Sequence, residues 1–181
     1  GIRQSFSLPE NILMAQFGLE FFRDFSKLMS TGELDPDIGF RRRGYLFLSD
    51  AGDHSTMEQN YSLQSSMGAR VDLLEKGALE DRFPSINTAG IDLAVHSPDD
   101  AWINPHAALM GFRDKARSLG VSYIKDRVVD WMADGTTARE AILASGQRVS
   151  ADTFVLSAGA WSAELAEMIG FMLPVEPMCR E

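Results

Sequence analysis

Cysteine is nearly missing from this sequence: Cys179 is the only one in 181 residues. No intrachain disulfide can form, which fits a reducing compartment and makes a cytoplasmic location the expectation. No apolar run approaches the length of a membrane-spanning helix, and no secretory-leader pattern is read in it. A basic surplus is also missing. The net charge of −9 argues against a nucleic-acid partner, which needs a basic face. The one basic cluster, Arg41-Arg42-Arg43, sits in a strand-like run and reads as a solvated strand end. Histidine is scarce. His54, His96 and His106 do not stand at metal-ligand spacings, so no metal site is expected. His106 falls in the first turn of a predicted helix, where the macrodipole disfavours a charged imidazole. A GxSxG elbow, a P-loop and the GxGxxG of a complete dinucleotide-binding domain are all absent.

What remains is ordinary globular composition, 45% hydrophobic and 24% charged, enough for a packed core. Ser7-Leu8-Pro9-Glu10 predicts a capped helix start with proline in the first turn. The helix beyond it carries Leu13, Phe17, Phe21, Phe25 and Leu28 as an expected core stripe. Strands are predicted over 40–48, with Gly44 marking a bulge or close approach, and over 70–74 and 90–96. Helices are predicted over 50–67 and 76–83. Asn104-Pro105 is a strong helix start, with Ala108, Leu109, Phe112 and Ala116 as the apolar face up to Gly120. A strand is expected at 121–124, then a meander over 128–132, 139–143 and 147–149, with turns at Asp134-Gly135 and Ser145-Gly146. A buried strand at 153–156 and a helix at 162–169 follow. Asp99-Asp100 could suggest paired carboxylates, but the simpler reading is acids placed before a helix start.

The stretch TFVLSAGAWS, 153–162, carries the most chemistry. An apolar run ends in small residues that let something approach the backbone. A helix start then offers free backbone N–H groups. In an open α/β sheet, ligands bind beyond the carboxyl ends of strands. Two readings stand side by side here: a cofactor close to Ser157, Ala158 and Gly159, or tight strand–helix packing with Trp161 as a core plug.

Several segments in order resemble a family: GIRQSFSLPENI, RRRGYLFLSD, LEDRFP, DDAWINPHAAL, DRVVDW, GQRVSADTFVLSAGAWSAEL and LPVEP. Together they resemble the FAD-dependent oxidoreductases of the D-amino-acid oxidase, sarcosine oxidase and glycine oxidase group, over nearly the whole chain. The resemblance implies a mixed α/β (α+β) fold and an internal piece of a two-domain flavoprotein. Residues 1–97 would belong to the mixed-sheet substrate domain and 98–181 to the Rossmann-like FAD domain. The glycine-rich loop would lie upstream of Gly1, so this piece alone would hold FAD weakly and be inactive. By the same resemblance, Val128 meets the adenine end of FAD, and Ser157, Ala158, Gly159 and Trp161 lie beside the dinucleotide. Arg3 matches the arginine that pairs with the substrate carboxylate over the flavin, a role that its planar fork suits. Otherwise Arg3 is a surface residue at a frayed terminus.

The implied reaction is hydride transfer from the carbon beside an amine or amino acid, sarcosine- or glycine-like, to flavin N5. Gln4 stands where the oxidases often have histidine, Phe6 where they often have tyrosine, and Asp100-Ala101 where Asp-Gly is common. The first two departures leave a hydroxy-acid or polyol dehydrogenase open. A non-catalytic assembly module that retains the fold is the alternative from another class.

Overall fold

A computed structural model of the chain describes residues 1–50, 52–135 and 137–179. It divides into two compact units, Gly1–Val121 and Ser122–Glu181.

In the first unit, α1 spans Pro9–Arg23 with proline in its opening turn. The expected capping box does not form: Leu8 takes the N-cap position, extended and without a side-chain cap. Asp24 interrupts the helix, and α2 follows at Phe25–Leu28. The expected aromatic stripe therefore splits. Ile12, Leu19 and Phe25 are buried, whereas Leu13 and Phe17 are exposed, Phe17 at 69%. Successive helical residues differ by about 100°, so a face set by Ile12 and Leu19 leaves the Leu13–Phe17 row beside it, toward solvent. Phe25 anchors a core with Ile38 and Ala108, joined by Phe21 and Phe22. Helix α5, Pro105–Ser118, starts as expected, with the Asn104 side chain accepting the Ala107 N–H at 3.1 Å. Its expected apolar face is only partly inside: Ala108 is buried, but Leu109 and Phe112 are exposed. Gly111 lies against Phe25 so closely that a Cβ would stand 2.6 Å from the ring.

Three antiparallel strands form the larger sheet: β2 (Tyr45–Ser49), β4 (Leu93–Ser97) and β3 (Asp72–Glu75), in the order β2-β4-β3. All five residues of the central β4 are buried because helices cover both of its faces. Helix α3, His54–Ser66, packs Met57 and Tyr61 on Ala69, Val71 and Val95. Its predicted start runs over Ala51, which lies outside the described residues. Helix α4, Lys76–Arg82, buries Leu79 with Leu74 and Ala94. A second, two-stranded sheet pairs β1 (Arg41–Arg42) with β5 (Ala101–Trp102), and Ile2 adds an antiparallel bridge to Ala101. Gly44 joins β1 to β2 at φ +73°, and a Cβ there would meet His96 Nε2 at 2.8 Å and the Ser97 carbonyl at 3.1 Å. The close approach read from the sequence is real.

The second unit is built on a meander of β6 (Val128–Asp134), β7 (Thr137–Leu143) and β8 (Arg148–Ser150). Gly135 and Gly146 take positive φ at its turns. A 3₁₀ turn at Gly159–Trp161 leads into α6, Ser162–Glu167. Trp131 stands edge-on to Phe154, and its indole N–H donates to the Leu165 carbonyl at 3.1 Å, so the meander carries the stretch beyond it.

Two expected strands do not form. Residues 121–124 and 153–156 belong to no strand, and Val155 is 85% exposed rather than buried. β-branched apolar runs become buried strands only with ladder partners, and every described strand pair is antiparallel and engaged elsewhere. The architecture is mixed α/β with small sheets. No helix among the described residues is long and apolar enough to cross a membrane.

Candidate cofactor and substrate sites

Arg3 is not frayed. Residue 2 is fixed on one side of it by paired backbone bonds, Ile2 N–H to the Ala101 carbonyl at 2.7 Å and the reverse at 2.9 Å. Residue 4 is fixed on the other side, where the Gln4 N–H donates to Asp100 Oδ1 at 3.1 Å. The half-buried guanidinium lies over Phe6, Tyr45 and Phe47, 5.3, 5.9 and 5.4 Å from their centroids. Tyr45 and Phe47 alternate along β2, so both rings face the same way. Among the described residues no carboxylate forms an ion pair with Arg3. The Arg3 charge is felt by the Asp100 carboxyl, which it favours in its ionised form, but no acid closes on the guanidinium, so its fork keeps room for an anion.

Asp100, which the sequence reading set aside as an acid before a helix start, is the buried neighbour of this segment. It is wholly buried, and its own carbonyl accepts from the Arg43 and Gly44 N–H groups. Burial pushes its carboxyl above the usual carboxylate range, against the Gln4 N–H bond, which favours the charged form. It is not a helix-start acid: α5 begins five residues on. Asp99 next to it stays half-exposed, 3.2 Å from Arg70 and 3.8 Å from Arg42. His96 is buried with Nδ1 3.6 Å from Asp72 Oδ2. Burial alone would raise the Asp72 carboxyl, but its bond to Arg82 and the neighbouring His96 outweigh this and hold it low.

In the second unit, the structure brings Val128, Ala158 and Trp161 around one open cavity of about 490 Å³. Val129, Leu165 and Met168 complete apolar walls, with Arg127 and Glu164 the charged members. Ser157 and Gly159 flank Ala158 in the chain but do not line the cavity. Gly159 has φ +58°, and a Cβ there would meet nothing within 4 Å, so the backbone is open to an approaching group. Trp161 is 67% exposed, which removes the core-plug reading. A cavity with apolar walls, an exposed indole and an arginine fits a flat aromatic group with a polar edge, and adenine is such a group. Helix α6 has only six residues, so the backbone N–H argument made from the sequence carries little here.

With this geometry in hand, similarity to known proteins assigns the class. The family model for FAD dependent oxidoreductases, abbreviated DAO, matches residues 1–181, so the chain belongs to that family. Among relatives, it is 35% identical to the FAD-dependent oxidoreductase domain-containing protein 1 of Xenopus laevis, over 99% of this chain and 42% of that protein. The chain therefore spans less than half the length of this curated relative. Among solved structures, it resembles L-proline dehydrogenase from P. horikoshii at a TM-score of 0.80 and 22% identity, over 94% of this chain and 44% of that one. Glycine oxidase from Geobacillus kaustophilus matches at 0.78 and 22%, over 94% and 45%. These likenesses agree with part of a two-domain flavoprotein fold.

Proposed function

We propose that the protein oxidises an amine or amino acid with FAD, and that Arg3 binds the substrate carboxylate. The observation that carries this reading is the Arg3 guanidinium, borne on a backbone held at both neighbours and framed by three rings with no acid in ion-pair contact. On this reading, residues 1–97 contribute to a substrate domain and 98–181 to an FAD domain. Val128, Ala158 and Trp161 hold the adenine end of the cofactor, with Ser157 and Gly159 keeping the backbone clear beside it. FAD, when bound, supplies the hydride acceptor, its N5 atom. The chain's own residues bind, orient and desolvate: Arg3 fixes the carboxylate, and Phe6, Tyr45 and Phe47 exclude water around it. The amine-acting relatives support the substrate class, since proline and glycine are the substrates those two structures are named for.

The test is to express the protein to its natural ends, purify it and release its flavin by denaturation. Stoichiometric FAD, together with reduction of that flavin by an amino acid without oxygen, supports the reading. A folded protein that neither carries FAD nor takes it up would overturn it in favour of a non-catalytic module. Flavin reduced only by hydroxy acids or polyols would replace the substrate class.

A further inference from the structure

The first unit holds a second cavity, about 150 Å³, that neither the cofactor nor the carboxylate reading uses. Its apolar walls are Phe47, Met57, Tyr61 and Val95, and its polar members are Ser5, Asn60 and Gln64. Gln64 is 4% exposed. Its Nε2 donates to the Phe6 carbonyl at 3.0 Å, which fixes the orientation of the amide. The other end, Oε1, is then a buried acceptor with no partner, and Ser5 Oγ is equally buried and unpartnered. A buried polar group left without a partner is costly, and an acceptor and a hydroxyl in one recess can be satisfied by one group that both donates and accepts.

We propose that this recess binds the hydroxyl end of a small molecule, the hydroxyl donating to Gln64 Oε1 and accepting from the Ser5 hydroxyl, with the apolar walls taking a short alkyl stem. An anion is disfavoured because Gln64 Oε1 can only accept. No Asp or Glu lines the recess to balance an ammonium, so a neutral donor fits. The volume suits a stem of a few carbons. The recess also adjoins the Arg3 frame. Phe47 both walls it and lies under the guanidinium, and the Phe6 carbonyl held by Gln64 belongs to a residue whose ring is also on Arg3. If Arg3 takes a carboxylate, as the function proposed above holds, the recess selects ligands carrying a hydroxyl at their far end.

The experiment compares 4-hydroxybutanoate with pentanoate, near-isosteres that differ by hydroxyl against methyl, by calorimetric titration of the full-length protein. The expected result is hydroxyl preferred by about tenfold, the size of one well-made neutral hydrogen bond. Ser5→Ala should reduce the preference several-fold, and Gln64→Met should abolish it. Ser5→Ala alone decides the matter if the Gln64 variant does not fold. Equal affinities in the wild type, no binding of either, or a preference untouched by Ser5→Ala would each overturn the proposal. Arg3→Gln separates the two readings. It should weaken both ligands alike and leave the preference intact. If it weakens neither while the preference persists, the carboxylate role of Arg3 fails and the recess stands.

Discussion

Asp100 Oδ1 accepts the backbone N–H of Gln4 at 3.1 Å, joining residues 96 apart in sequence inside a fully buried setting. Asp100→Ala leaves that N–H buried and unpaired. The expected loss is about 1–3 kcal/mol of stability, read by chemical denaturation. An unchanged midpoint and slope would show that the contact contributes nothing.

Asp100→Asn keeps an acceptor for Gln4 and removes the charge. Because burial raises the Asp100 carboxyl above its unfolded value, the native state holds the proton more tightly. The ionised group therefore costs stability above the raised value, and that cost disappears as the pH falls below the ordinary carboxylate range. Wild-type stability from this group should thus improve on mild acidification. The Asn variant should lack that component, so the difference between the two should shrink from pH 7 toward pH 4. Parallel profiles would contradict the assignment.

Gly111→Ala sets helix propensity against space. Alanine favours the helix by about 0.8–1 kcal/mol, but its Cβ would stand 2.6 and 2.9 Å from Phe25 ring atoms and 3.3 Å from Pro36. Phe25 is locked among Phe21, Phe22 and Phe112, and overpacking of this kind costs about 1–3 kcal/mol, so a net loss is expected. A thermal midpoint at or above wild type would mean that the ring moves freely.

Gly44→Ala faces both strain and contact. The residue has φ +73°, and the added carbon meets His96 Nε2, the Ser97 carbonyl and Pro98. Destabilisation of about 1–3 kcal/mol should follow, larger than for alanine at the open Gly90, which also has positive φ. Equal losses at the two glycines would assign the effect to backbone conformation alone.

Trp161→Ala in the full-length protein should lower FAD retention through dialysis while leaving the far-ultraviolet spectrum unchanged. The indole is exposed on the cavity rim and supports little of the fold. Arg3→Lys should keep the flavin and raise KM for a carboxylate substrate, because a point charge replaces a bidentate fork. Normal flavin retention in the Trp161→Ala variant would remove Trp161 from the cofactor site. A normal KM in the Arg3→Lys variant would likewise remove Arg3 from the substrate site.

Local signals in the sequence were faithful where a residue acts on its own neighbours. Asn104-Pro105 opens a helix, Gly135 and Gly146 turn a meander, and Gly44 marks a close approach. The β-branched run at 153–156 says only that it suits burial; pairing is decided by strands elsewhere, and it stands unpaired. The row Leu13–Phe17 failed for a related reason, since apolar spacing does not say which of two adjacent rows turns inward. Val128, Ala158 and Trp161 could be grouped from the sequence only by resemblance, because meander and loop from 129 to 157 separate Val128 from Ala158. The recess at Gln64 left no trace in the sequence: a glutamine in a helix is normally a solvated residue.

The bridge between Ile2 and Ala101 has a temporal consequence. It is a single antiparallel pair rather than a strand, and it closes a loop of nearly the whole first unit. Contacts so distant in sequence form late, after the sheet of β2, β3 and β4 has organised, and short edges open first under native conditions. The segment bearing Arg3 is thus expected to be among the last to dock and the first to exchange its amide hydrogens. Assembly of the aromatic frame around Arg3 would then be a closing step of folding, and its breathing would set how often the guanidinium is held in place.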